Sequence, residues 1–249
     1  MSNKNERTIR TILIIGGILV AYVMQMAPSP ILLSLKEQYA IGNNEALLNL
    51  AVSIIFPAII ISSLLGVLLE KKLGTYHLYS LSLAFLVIGA FLNLVSGGYV
   101  LFLVARFLYG IGFGLGIPFI GSAIMIWYQG KQRDAMNTIN GLFPFFGTSI
   151  SFCVMDPLRI ALNGSVGFAM GIWGIAFAVV FIIWLFLSKK LNKKTEASIE
   201  PESDPFDPFA PAADDSKEYN VYKKILGFRE IRLLCIIFMC DFFCYSYLS

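Results

Sequence analysis

The stretch Leu101 to Gly116, LFLVARFLYGIGFGLG, decides how this chain folds. It is apolar enough for the interior of a bilayer, yet Arg106 stands inside it. An arginine at the centre of a membrane helix costs at least ~2.5–3.5 kcal/mol on insertion scales, so it must face protein or a water-filled cavity. Arg106, Tyr109, Gly110 and Phe113 share helical spacing, which puts a charge, a phenol and a gap on one face. Glycines at 110, 112, 114 and 116 supply two overlaid Gly-x-x-x-Gly pairs, the pattern that lets helices approach closely. The stretch predicts an all-α fold, a polytopic membrane helix bundle with a polar interior.

Composition agrees. Of 249 residues, 57% are hydrophobic and 14% charged, where soluble domains carry about 25% charged residues; the mean hydropathy is +0.73. The four cysteines, Cys153, Cys235, Cys240 and Cys244, lie in apolar runs with no disulfide or zinc spacing. The one histidine, His77, opens an apolar run and reads as interfacial. No His-Glu-x-x-His, paired intramembrane carboxylates or nucleophile–base pair occurs in the six complete spans, and no phosphate-binding loop is present. The expectation is a protein that is not an enzyme, with no cofactor, metal or nucleic-acid partner.

A spanning helix needs about 20 apolar residues. That length picks out Thr11–Leu33, Ala46–Leu69, His77–Leu94, Tyr99–Tyr128, Asp134–Val154 and Val166–Leu187. The links between them are short: 34–45, 70–76, 96–98, 129–133 and 155–165. The expected organisation is residues 1–10 as an N-terminal segment, 11–187 as a six-helix bundle, 188–232 as a linker and 233–249 as the start of a seventh helix. The first apolar run is too long for a cleaved signal and reads as a retained span. The linker turns from acidic and proline-rich, EPESDPFDPFAPAADD, to basic at Lys223, Lys224, Arg229 and Arg232. Its acidic part is too polar to bury a core and reads as disordered; its basic part reads as an anchor at an anionic membrane surface. The seventh run is short, contains Asp241 and has no exit loop, so a truncated chain is expected; a half-length protein that pairs with a second copy is the alternative.

Of the 19 lysines and arginines, Arg106 lies within the membrane and only Lys36 and Arg159 fall on the far side from the N-terminus. This bias predicts a multi-pass integral membrane protein with a cytoplasmic N-terminus, in the plasma (inner) membrane.

Polar residues at helical spacing mark four of the six spans. The first carries Gly17, Ala21, Gln25 and Ser29, with Pro28 and Pro30 to bend it. The second carries Asn49, Ser53 and Pro57. The fourth carries Arg106 and Tyr109. The fifth carries Asn137, Asn140, Gly141, Pro144, Thr148 and Ser151. Spans one, two, four and five are therefore expected around a polar path, with three and six outward against lipid.

Three local patterns resemble the major facilitator superfamily. Between spans two and three stands Gly66-Val-Leu-Leu-Glu70-Lys71-Lys72-Leu-Gly74, similar to the family's glycine–acid–basic–glycine turn, with Glu70 for the usual aspartate and one residue added. Arg106-Phe-Leu-Tyr109-Gly110-Ile-Gly112 fits the family's Arg-x-x-x-Gly-x-Gly on helix four without a gap. Trp127-Tyr128 and Arg133-Asp-Ala135 resemble the entry to helix five. The resemblance implies a half built from nested inverted three-helix repeats, with helices one, two, four and five facing the central path.

The function expected is secondary active transport of small solutes by alternating access, coupled to protons or another ion. A non-transporting sensor or scaffold of the same fold is the alternative. Arg106 is the expected central charge, suited to an anionic solute, to coupling or to bracing a neighbouring helix through its carbonyls. Asp241 is the one carboxylate in view within the apolar runs. Gln25, Tyr109 and Asn140 are the expected solute contacts. Gly66, Glu70, Lys71, Lys72 and Gly74 form the expected gating turn. The partners expected are the bilayer, a small-molecule substrate with H+ or another coupling ion, and a missing C-terminal half or second copy.

Overall fold

The structure, a computed structural model, describes residue 13 and residues 16–42, 44–95 and 97–195. Asp241 and the seventh apolar run lie outside the described residues, as does the linker beyond Thr195. Every regular element described is helical: α1 at residues 16–25, a 3-10 turn at Ser29–Ile31, α2 Leu32–Gln38, α3 Glu45–Ser53, α4 Ile55–Leu73, α5 Thr75–Val95, α6 Tyr99–Trp127, α7 Gly130–Ala161, α8 Val166–Gly171 and α9 Trp173–Thr195. Six stretches are long and apolar enough to cross a membrane: Gly16–Gln38, Glu45–Glu70, Tyr76–Val95, Tyr99–Met125, Gly130–Ala161 and Val166–Phe186.

Three spans are interrupted. The first divides into α1 and α2 because Pro28 and Pro30 bring no N–H to the helix ladder. The second breaks at Ile54, just ahead of Pro57, and the sixth at Ile172, between Gly171 and Gly174. The fourth, α6, runs unbroken for 29 residues despite Pro118, and the second and third spans pack along it.

The two overlaid glycine pairs serve different neighbours. A Cβ on Gly110 would stand 2.8 Å from the Ile55 carbonyl oxygen, and one on Gly114 would strike Ser62 Oγ, so this pair receives the second span. A Cβ on Gly112 would stand 2.7 Å from Leu86 N and 2.8 Å from Ser82 O, and one on Gly116 2.9 Å from Ser82 Oγ, so the other pair receives the third. Hydroxyls close the same seams: Ser82 Oγ donates to the Gly112 carbonyl at 2.7 Å and Ser62 Oγ reaches the Gly110 carbonyl at 3.4 Å. The sixth span packs on the third through Gly171 against Leu94 and Gly174 against Phe91. Trp184 is buried there, edge-on to Tyr79 at 4.7 Å, and its indole N–H donates to Ser80 Oγ at 3.0 Å.

Two expected boundaries move. The first span continues past Leu33 through Gln38, whose Oε1 accepts from the Val166 N–H at 2.8 Å. The segment 155–165, expected as a link, is mostly helix. Asp156 and Arg159 pair one turn apart at 2.8 Å, and the helix closes only at Leu162, with Gly164 at φ +80°. Tethers gather at this end of the bundle. The Tyr39 ring packs against Tyr99 and Phe102, and the Tyr99 hydroxyl donates to the Leu47 carbonyl.

The second and fifth spans bury only 22% each, against 44% for the third and 56% for the fourth. Their open faces hold most of the polar residues of those two spans. Asn49, Ser53, Asn137 and Gly141 are exposed, and Asn140 and Thr148 partly so. The polar line of the fifth span is not presented whole, however. The buried line of α7 runs through Met136, Phe143, Gly147, Ser151 and Met155 and winds round the helix, so Asn137 and Asn140 lie open at one end while Ser151 is covered at the other. Gly147 marks the crossing, where a Cβ would strike Tyr22 of the first span.

Candidate functional site

The break in the first span creates the site. In an unbroken helix the Met24 carbonyl would accept from residue 28 and the Gln25 carbonyl from residue 29. Pro28 has no N–H, and the Ser29 N–H turns back to the Met26 carbonyl at 3.0 Å. Arg106 supplies what is missing. Its Nη1 donates to the Met24 carbonyl at 2.7 Å and its Nη2 to the Gln25 carbonyl at 2.6 Å. A full positive charge thus caps the negative end of α1, the favourable sense for a helix dipole. One turn further in, the Tyr109 hydroxyl donates to the Ala21 carbonyl at 2.6 Å. The Tyr109 ring centroid lies 5.8 Å from the Arg106 guanidinium carbon.

Arg106 and Tyr109 are both sealed from solvent, at 0% exposure. The third span holds Tyr109 from behind, for a Cβ on Gly89 would stand 2.7 Å from Tyr109 N. The Arg106 Nε is buried and finds no partner among the described residues, and neither does Ser151 Oγ. Arg106 sits seven residues in from Tyr99, ~10 Å along a helix that continues well beyond it.

Gln25 and Asn140 differ from this pair. Both side chains are partly exposed, and neither amide has a hydrogen-bond partner among the described residues. They are not brought together. Gly147 meets Tyr22 and Val23, which sets the register of the first and fifth spans and leaves Asn140 two turns from that crossing on the side away from Gln25.

The turn between spans two and three separates into two kinds of glycine. Gly66 is a packing position, where a Cβ would meet Pro118 Cγ at 3.2 Å. Gly74 is a backbone position: it ends α4 at φ +77° and ψ 157° and donates its N–H to the Glu70 carbonyl at 2.8 Å. That conformation is one that glycine alone adopts freely. Lys71 lies on the last turn of α4, Lys72 beside it is exposed, and Glu70 is partly buried.

Sequence reasoning passed over Ser82 and Gly89, which hold the third span to the fourth. Backbone-to-backbone contact leaves no polar periodicity to find. The acceptors on Met24 and Gln25 did have a signal, since a proline at 28 frees the carbonyl four residues before it.

Six membrane-capable spans around a buried, backbone-bound arginine describe a multi-pass integral membrane protein. The sequence model of the Major Facilitator Superfamily matches residues 13–249, and the chain belongs to that family of membrane transporters, which bind small-molecule substrates within the membrane. No curated protein matches it closely.

Proposed function

We propose that residues 11–187 form one six-helix half of a secondary active transporter that moves a small solute by alternating access, coupled to protons or another ion. The half rocks against a second helical body across the open faces of spans two and five. The solute passes through mid-membrane and meets the amides of Gln25 and Asn140 at separate points of its path. Arg106 and Tyr109 act as positioning residues: they hold the broken first span in the shape that presents Gln25. The turn from Gly66 to Gly74, with Glu70, Lys71 and Lys72, governs movement at the basic end; the charge bias supports a cytoplasmic side for that end, in a protein of the plasma membrane. Asp241 is the candidate coupling carboxylate.

The observation that carries this reading is the pair of hydrogen bonds from Arg106 to the carbonyls freed at Pro28. They fix a flexed helix beside open polar faces, where a plain structural span would have no need of a break. Uptake by full-length protein in proteoliposomes tests it. Solute-specific uptake that falls at least tenfold in Gln25→Leu and Asn140→Leu supports the reading. Well-folded protein that moves no solute rejects it.

A further inference from the structure

The sequence invites an anion to Arg106. The structure uses that charge elsewhere. Within the described spans Arg106 is the one Asp, Glu, Lys, Arg or His away from the helix ends; Lys36, Glu37, Glu45, Glu70, Lys71, Lys72, His77, Lys131, Arg133, Asp134, Asp156 and Arg159 all lie near them. The Arg106 guanidinium has no exposed surface, and both terminal nitrogens are committed to Met24 and Gln25. What the open faces offer instead is neutral: the unpartnered amides of Gln25 and Asn140, the exposed Asn49, Ser53 and Asn137, and the exposed ring of Phe145. An ionised group taken from water to such a surface loses its hydration and gains no counter-charge. A neutral hydroxyl, amide or aryl group finds donors, acceptors and a ring.

We infer that the part of the solute read by this six-helix unit is uncharged, recognised by neutral amides and aromatic surface, and that Arg106 does not bind it. This rests on the transporter reading above and narrows its substrate class. Any charge on the solute is matched by residues outside 16–186.

The test uses full-length protein and matched pairs: glucose and glucose 6-phosphate, uridine and uridine monophosphate, nicotinamide and nicotinate, benzamide and benzoate. Binding is followed by thermal shift in detergent and transport by uptake into proteoliposomes. The expected result is that a neutral member binds at least tenfold tighter than its anion. Gln25→Leu or Asn140→Leu weakens that binding at least tenfold. Arg106→Gln, which keeps an amide donor for the helix-one carbonyls, and Arg106→Lys, which keeps the charge, leave the neutral-to-anion ratio unchanged. An anion preferred over its neutral partner, with the preference lost in Arg106→Gln and kept in Arg106→Lys and Gln25→Leu, overturns the inference and leaves transport standing. Uptake of no member of the panel by folded protein overturns the transporter reading and this inference with it.

Discussion

Arg106 and Met24 lie 82 residues apart in the chain, yet the guanidinium of one holds the backbone carbonyl of the other at 2.7 Å. That bond is a consequence of Pro28, which takes away the carbonyl's ordinary partner. Arg106→Leu is expected to cost about 1–3 kcal/mol, because the partly buried Gln25 carbonyl loses its donor and the buried Met24 carbonyl keeps only the long bond from the Ala27 N–H at 3.4 Å. Arg106→Gln recovers part of the loss. Thermal melting in detergent reads both variants, and equal losses would show that the carbonyl contacts contribute little.

Tyr109→Phe keeps the ring in place and removes one hydrogen bond, that to the Ala21 carbonyl. Its cost is expected at ~0.6–1.7 kcal/mol, the range for hydrogen bonds between membrane helices. The same melting assay should therefore rank it above Arg106→Leu in stability.

Gly112→Ala places a methyl group against the backbone of the third span, where Leu86 N would be 2.7 Å away. Backbone cannot swing aside, and overpacking of this kind costs about 1–3 kcal/mol. Gly121→Ala meets nothing within 4 Å and is expected to stay within ~0.5 kcal/mol of the parent. Similar stabilities for the two would mean that helices three and four are looser than described.

Gly74→Ala forces a side chain onto a backbone at φ +77°, at a cost of about 1–3 kcal/mol. Gly66→Ala meets the rim of the Pro118 ring at 3.2 Å and Leu115 at an ordinary 3.6 Å and is expected to be milder. If Gly74 also sets the movement of the turn, its substitution slows uptake more than it lowers the amount inserted in the membrane. Uptake normalised to inserted protein separates these effects.

In a background with every native cysteine replaced, Cys153, Cys235, Cys240 and Cys244 among them, Asn137→Cys and Asn140→Cys should react with a membrane-impermeant maleimide. Ile88→Cys on the third span and Ile182→Cys on the sixth, both exposed on apolar faces, should not. The reverse pattern would put water on the wrong side of the bundle.

Much of this arrangement could be read before the structure was known. A charge inside an apolar run must turn toward protein, and the helical spacing of Arg106 and Tyr109 told which face they shared. What they touch was harder to see, since backbone carbonyls leave no mark in side-chain identity except through a nearby proline. The fifth span shows a different limit. Its polar residues do fall on one stripe, but α7 crosses the first span obliquely at Gly147, so one stripe is open at Asn140 and covered at Ser151. Helical spacing gives angles about a single axis and says nothing of how a neighbour crosses it. The segment 155–165 misleads for a local reason: Asp156, Pro157 and Arg159 look like loop residues, yet the ion pair lets the helix carry them.

The contact between the third and fourth spans has almost no side chain in it near Gly112. Two surfaces so bare mesh like gear teeth. A slip of one residue would drive Leu115 or Phe113 into the backbone that Gly112 and Gly116 now clear. The second, third and fourth spans are therefore locked in register like a keel, whereas the first span is broken at Pro28 and the fifth touches its neighbours along a single winding line.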